Sequence, residues 1–383
     1  MAEKAKAALD WLAGRRPAME QLLERLVRQN SFSQNREGVN AVAALLAPEL
    51  ARVGLAVERL PGARFGDHLF FRTAAAGPPA FLIGHLDTVF PPGTFEGFDV
   101  DGDLARGPGA FDMKGGIVVA LFALEALSRA GLLDGIPLRG IWVSDEEVGS
   151  PESQPITRRL AAGAACALGL ESWRPADLVV TSRKGNASVE AEAQGVAAHA
   201  GNDHARGRNA IWALSRFVDR AQALTDYGRG LTVNVGRIEG GTTRNTVPAR
   251  ARCEVDLRFP TAADGEALWG RLSEVARGAA VEGTTIEVRR RGGRPPLERT
   301  AASAALAAEY GACQVESGLG SGEAPPSGGG SDASTTAAAG VPSIDGLGPS
   351  GAAYHTHEEL VDLASLVPKA SALVRFLARR AAG

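Results

Sequence analysis

The chain has 383 residues, is 45 % hydrophobic, and carries a formal net charge of -3 with a pI near 6.1. That length exceeds one ordinary core and predicts two domains, while the mildly acidic balance gives no footing for nucleic acid or an anionic membrane surface. No apolar run is long enough for a bilayer span, the charged amino terminus lacks the apolar stretch of a signal peptide, and the scattered Cys166, Cys253 and Cys313 form neither a disulfide framework nor a CxxC site, so a cytoplasmic enzyme is the expectation.

Helical periodicity covers 3–30 and 39–53, and short strand-like runs follow near 55–60, 68–72 and 80–84. A long apolar helix pattern spans 113–130, with Gly131 placed to cap it, and another strand covers 138–144. This alternation predicts an α/β fold with a mixed, mostly parallel sheet covered by helices. The character changes at Gly185. Residues 186–194 alternate as a strand, 207–224 read as a helix, 231–238 and 248–259 as strands, 263–280 as a helix and 284–290 as a strand. Strand, helix, strand, strand, helix, strand is the ferredoxin-like order. After Gly292-Gly293-Arg294-Pro295-Pro296 the helical α/β character returns. The predicted organisation is one larger domain made of 1–184 and 295–383, with 185–294 inserted into it. The Gly-rich stretch from Ser317 to Gly330 reads either as a flexible linker or as backbone that must approach a ligand closely.

The chemistry collects where apolar strands end. Ala80-Phe81-Leu82-Ile83 runs into Gly84-His85-Leu86-Asp87-Thr88, residues 138–144 run into Asp145-Glu146-Glu147, and Cys166–Leu170 runs into Glu171. Open α/β sheets bind ligands at the carboxyl ends of their strands, so these side chains point to one shared site. Gly107-Pro108-Gly109-Ala110-Phe111-Asp112-Met113-Lys114-Gly115-Gly116 is a Gly-rich turn into a helix. It lacks the third glycine of a dinucleotide fingerprint and any Gly-Lys-Ser/Thr. Asp112 serves there either as a helix N-cap or as a carboxylate shared by cations. Three consecutive acids are ordinarily a solvated run; after a buried strand, a divalent cation gives them a reason to crowd, one Glu ligating while its neighbour orients a water. Tyr354-His355-Thr356-His357-Glu358-Glu359 adds imidazoles, with acids near enough to fix a tautomer.

The ordered set of HxDT, GPGxxDMKGG, DEExGS, a Glu after a strand, AHAGN, a GGGSD loop and YHT resembles the dinuclear zinc metallopeptidases that include glutamate carboxypeptidase, aminoacylase, acetylornithine deacetylase and succinyl-diaminopimelate desuccinylase. The resemblance covers roughly residues 80–355, and the Gly-Arg-Pro-Pro, GGGSD and Gly-x-x-Tyr-His wording is nearest the glutamate carboxypeptidases. It implies a catalytic domain plus an inserted ferredoxin-like lid and dimerisation domain. It implies two zinc ions per chain, with cobalt and manganese as alternatives. Asp112 would bridge them, His85 and Glu171 would complete one, and Glu147 and His355 the other; His357 is the alternative to His355. Glu146 would be the general base and Asp87 would orient His85. The peptide after Asp112 would be cis. In the inserted domain His199 would reach a partner subunit's site and stabilise the oxyanion, where the local sequence alone leaves a surface turn as the other reading. Arg258 would grip a substrate carboxylate, Asn245 would make another substrate contact, and backbone around Gly329 and Gly330 would lie beside the substrate. His68, His204 and His357 are left to the surface or to supporting roles.

The implied activity is hydrolysis of an amide next to a free carboxylate, as an exopeptidase releasing a C-terminal amino acid. An N-acyl-amino-acid deacylase uses the same parts, and a metal-free binding relative is the remote alternative. The implied partners are a small peptide or N-acyl amino acid substrate and a second copy of the chain, without nucleic acid or membrane. A serine hydrolase is disfavoured because no Gly-x-Ser-x-Gly elbow exists.

Overall fold

The computed structural model describes residues 2–172 and 177–380. The chain divides into two compact units, the first comprising Met1–Ser182, Arg299–Ser327 and Ser331–Gly383, the second Arg183–Glu298 and Gly328–Gly330.

The first unit is built on a six-stranded sheet in the spatial order Ala56–Leu60, His68–Arg72, Leu138–Val143, Ala80–His85, Cys166–Gly169, Ser343–Ile344. The four strands from Leu138–Val143 to Ser343–Ile344 run parallel, and the first two join antiparallel. The Ala80–His85 strand is buried throughout. Its period of two sends Ala80 and Leu82 into one apolar cluster and Phe81 and Ile83 into another. Both faces are therefore covered, as a mostly parallel sheet requires. The helix Gly115–Arg129 is buried at every position from Gly115 to Leu127, so it lies inside the core between the sheet and the C-terminal helix Leu366–Arg380. The single helical run expected over 3–30 is two helices, Ala2–Ala13 and Arg16–Arg28, because the chain turns at Gly14 and Arg15. The helix expected from Met113 begins at Gly115, since Ala110–Lys114 is an irregular turn rather than regular helix. A small sheet, ordered Gly351–Ala352, Leu360–Asp362, Leu104–Arg106, Asp99–Asp101, carries that turn and has no counterpart in the sequence reading.

The second unit is a four-stranded antiparallel sheet ordered Thr232–Gly240, Arg250–Phe259, Gly185–Gln194, Thr285–Arg294. The helices Ala210–Gln222 and Ala262–Ala279 cover one face. Alternate residues of the Gly185–Gln194 strand, Val189, Ala191 and Ala193, pack beneath those helices. Glu190 and Glu192 stand on the other face and pair with Arg291 and Arg250. This is the ferredoxin-like arrangement.

Candidate metal centre

Three parallel strands of the first unit end side by side. Ile83 stands opposite Gly169, and His85 opposite Val143. The residues that follow, Leu86 to Thr88, Ser144 to Glu147, and Glu171, therefore emerge together at one edge of the sheet. Two glycines let other backbone reach that edge. Gly109 adopts a left-handed φ of 72° at the turn before Asp112, a conformation open to Gly at no cost. A Cβ on Gly116 would stand 2.0 Å from the Leu170 carbonyl oxygen, so the helix after Asp112 can only pack this close to Glu171 without a side chain there. The Asp112–Met113 peptide is cis.

Asp112 turns one oxygen to each of two histidines. His85 Nε2 lies 3.1 Å from Asp112 Oδ1 and 3.6 Å from Glu171 Oε1. His355 Nε2 lies 3.3 Å from Asp112 Oδ2 and 3.1 Å from Glu147 Oε2. Donor atoms of His85, Glu146 and Glu171 lie within 4.8 Å of one another, and so do those of His85, Asp112 and Glu147. His355 itself sits at a left-handed φ of 61°, which for a residue with a side chain persists only where the surroundings enforce it; Thr356 supplies part of that, its N–H and hydroxyl both donating to the Ala353 carbonyl at 3.2 and 2.7 Å.

Asp87 lies behind the donors, fully buried. Its backbone carbonyl is 2.9 Å from His85 Nδ1, while its nearer carboxylate oxygen is 3.5 Å away. The carboxylate instead accepts the N–H of Glu146 at 3.1 Å, the N–H of Glu147 at 3.2 Å and the hydroxyl of Ser33 at 2.6 Å. Asp87 thus holds the acidic loop with its side chain and the imidazole mainly with its backbone. Ser33 gave no sequence signal. His68, grouped with surface or supporting histidines, is buried in the sheet, and its Nδ1 accepts the N–H of Ser144. His357 is exposed and stacks on Phe95 at 5.4 Å. Glu359 does not take the imidazole-fixing role its position suggested: its Oε1 accepts the N–H groups of Phe111 and Asp112.

The charges are mutually opposed. Burial works to lower His85, but Glu171, Asp112 and Asp87 outweigh it and hold the imidazole well above its usual value. Hydrogen bonds to Asp112 and Glu147 push His355 up to about 11. Burial, reinforced by the Asp112 charge, pushes Glu147 up to about 8, and burial raises Glu171 well above the carboxylate range despite the pull of His85. Burial also acts on Asp112, yet the hydrogen bonds from His355 and His85 prevail and hold its carboxyl low. Protons thus offset a charge that crowded carboxylates leave over. Buried carboxylates facing two imidazoles form an oxygen and nitrogen donor set that fits two divalent cations.

The remaining expected residues lie in the second unit. His199 pairs across a two-residue ladder with Thr246, and the Ala200 N–H donates to the Asn245 carbonyl at 2.9 Å, so His199 and Asn245 lie close together on two paired segments. Arg258 donates from Nε to Asp256 at 2.8 Å, and its Nη1 lies 3.5 Å from the Gly328 carbonyl. Gly329 and Gly330 follow in the tripeptide that this unit takes from the Gly-rich stretch.

Known proteins of similar sequence and fold give the family. The chain is 30 % identical over 357 residues to carboxypeptidase G2 of Pseudomonas sp. (strain RS-16), covering 91 % of this chain and 86 % of that one. It is 30 % identical over 293 residues to succinyl-diaminopimelate desuccinylase of Paracoccus denitrificans (strain Pd 1222), covering 70 % and 74 %. Its fold matches aminopeptidase PepT of Bacillus cereus ATCC 10987 with a TM-score of 0.78 at 22 % identity, over 96 % of this chain and 99 % of that one. The family model for peptidase family M20/M25/M40 matches residues 81–379, and the chain is therefore a member of that family, a metallohydrolase acting on amide bonds.

Proposed function

We propose that this chain is a two-zinc exopeptidase of the glutamate carboxypeptidase type, releasing a C-terminal amino acid by cleaving the amide beside a free carboxylate. The observation that carries the two-metal part is Asp112, with Oδ1 toward His85 and Oδ2 toward His355. The similarity to carboxypeptidase G2 along most of both chains supports the substrate class. His85, Asp112 and Glu171 would hold one cation; Asp112, Glu147 and His355 the other. When bound, the cations supply Lewis acidity toward the scissile carbonyl and make water a nucleophile near neutral pH.

The chain's own groups do the rest. Glu146, clustered with His85 and Glu171, takes the proton of the attacking water and returns it to the leaving amine. Asp87 fixes the peptide N–H of Glu146 and so aims that base. His199 stabilises the oxyanion. Its Nδ1 accepts the N–H groups of Gly201 and Asn202 at 3.2 and 3.0 Å, which leaves the proton of the neutral ring on Nε2 as an outward donor. Arg258 forks onto the substrate carboxylate, and Asn245 and the backbone of Gly329 and Gly330 make further substrate contacts.

We also propose a homodimer through the second unit, with His199 serving the partner's site. The strand Thr232–Gly240 is an open sheet edge, and Ile211, Trp212 and Ile238 stand exposed on it or on the neighbouring helix. Unprotected edges and apolar patches of this kind pair with another chain. The opposite edge strand carries Arg289, Arg290 and Arg291, which discourage pairing. Free, buried Cys166, Cys253 and Cys313 fit a cytoplasmic setting, and no helix among the described residues is long and apolar enough to cross a membrane.

The second reading, an N-acyl-amino-acid deacylase, is favoured by the similarity to the desuccinylase. A panel of N-acyl-glutamates, C-terminal glutamyl peptides, acetylornithine and succinyl-diaminopimelate, assayed on zinc-loaded enzyme with product identification, separates the two. Preference for acetylornithine or succinyl-diaminopimelate overturns the first, and failure to cleave any amide overturns both.

A further inference from the structure

We propose that Glu359 is a positioning residue for this centre: its side chain fixes the turn that aims Asp112 between the two histidines. The inference rests on the two-metal reading above.

The Glu359 side chain is fully buried. Its Oε1 accepts the N–H of Phe111 at 2.9 Å and of Asp112 at 3.0 Å, across a sequence separation of 248 and 247 residues. The Glu359 backbone carbonyl accepts the N–H of Gly107 at 3.2 Å. One residue therefore grips the start of the Gly107–Gly116 segment and the peptides on either side of Phe111. Ser172 Oγ donates to the Phe111 carbonyl at 2.6 Å, so the Phe111 residue is held at both its N–H and its carbonyl. The sources of these two grips matter. Glu359 follows His355 by four residues, and Ser172 follows Glu171 directly. The turn bearing the shared carboxylate is thus fastened to the loops that bear two of the other donors, and the distances among donors from three distant parts of the chain are set together.

The cost of the arrangement argues that position is what Glu359 provides. Its Oε2 makes no hydrogen bond of ordinary geometry, although the Gly109 N–H also bears on the carboxylate, and the buried Lys114 Nζ donates to the Gln29 carbonyl. A buried carboxyl with one oxygen poorly partnered is unfavourable, and an apolar side chain would avoid that cost. What a shorter side chain lacks is the reach to the two N–H groups.

Reach and charge can be separated. Glu359→Gln keeps the length and an acceptor oxygen but removes the charge. Glu359→Asp keeps the charge and withdraws the oxygens by roughly 1.5 Å, one carbon–carbon bond. The probe is Co2+ added to metal-free protein, read by calorimetric titration and visible absorption, with urea unfolding of the metal-free variants alongside. Glu359→Asp is expected to weaken Co2+ binding by ~10–100-fold and to change the absorption band, as loss of a support behind a ligand does; Glu359→Gln is expected to stay within roughly threefold of wild type on the same scale. Equal affinity in all three proteins, or a loss in the Gln variant as large as in the Asp variant, overturns the proposal. Glu359→Ala, in which water can reach the freed N–H groups, is the second variant if the Asp form does not fold; wild-type Co2+ affinity there overturns it too. Fewer than two Co2+ per wild-type chain is a different failure, that of the two-metal reading itself.

Discussion

An Asp87→Asn substitution exchanges one oxygen for an amide nitrogen in a fully buried side chain, and its effect can be worked out donor by donor. Three groups converge on the carboxylate: the Glu146 N–H on Oδ1, and the Glu147 N–H and Ser33 hydroxyl on Oδ2. The hydroxyl can rotate to accept from an amide, but a peptide N–H cannot. Whichever way the asparagine turns, it leaves the N–H of Glu146 or of Glu147 facing another donor. One buried donor left unsatisfied costs ~1–3 kcal/mol, and if that strain falls on the Glu146 loop it becomes a ~5–150-fold loss in rate. The carbonyl that lies 2.9 Å from His85 Nδ1 is backbone and survives, so the cation held by His85 should be kept, and any loss of Co2+ affinity should fall on the one held by Glu147, whose N–H the carboxylate accepts. The assays are kcat and KM on zinc-loaded enzyme, Co2+ titration, and urea unfolding. Loss of both Co2+ ions while turnover per fully loaded chain stays normal would falsify the reasoning, for it would mean that the carboxylate serves His85 and not the acidic loop.

Four further expectations are open to test. Glu146→Gln should lower kcat by ~10²–10⁴ with metal still bound, whereas Glu147→Gln should weaken metal binding first; swapped phenotypes would exchange the assigned roles. In metal-free protein Glu147 is raised from 4.5 to about 8, so its protonated form lends stability that is fully present below pH 4.5 and is lost as the pH rises through about 8. Calorimetric Tm of the metal-free protein should accordingly fall across that window, and the gain in Tm on adding zinc should widen; parallel curves with and without metal contradict this. Arg258→Ala should raise KM strongly for substrates with a free carboxylate, and an unchanged KM shows that the carboxylate is held elsewhere. His199→Ala should lose ~10²–10³ in kcat, the usual cost of one oxyanion donor, and co-expressed heterodimers with Glu146→Gln should regain activity; an inactive heterodimer of well-folded chains rejects service across the dimer.

Much of the first unit was legible because burial on both faces leaves a plain mark. Ala80–Ile83 and Leu138–Val143 read as strands since nearly every residue is apolar, and each is followed at once by the residues it presents, His85 and Glu146. The second unit read clearly through alternation, Val189, Ala191 and Ala193 inward against Glu190 and Glu192 outward. The small sheet that carries the Asp112 turn was not legible. Its strands, such as Asp99–Asp101 and Gly351–Ala352, are two or three residues long, too short to show a period. The parts of Asp87, Ser33 and Glu359 were hidden for another reason. Each acts on backbone N–H or carboxylate groups far along the chain, and nothing in a side chain's identity says which distant peptide it will hold. Sequence reading assigned Asp87 only a part in orienting His85, whereas its carboxylate faces the N–H groups of Glu146 and Glu147.

The donors are strung along nearly the whole chain, from His85 through Asp112, Glu147 and Glu171 to His355. A ribosome that has released the first 171 residues has delivered four of them, and Asp112 then faces only His85 of its two imidazoles. The other imidazole, and the Glu359 grip on the Asp112 turn, emerge after the second unit has been made in full. If these side chains hold two cations as proposed, the second site can be completed only after His355 has been made, which follows the whole of the second unit. On the two-cation reading proposed above, metal occupancy would report completed folding, because the donors of the second site come together only once the segments that carry them have all been made and folded.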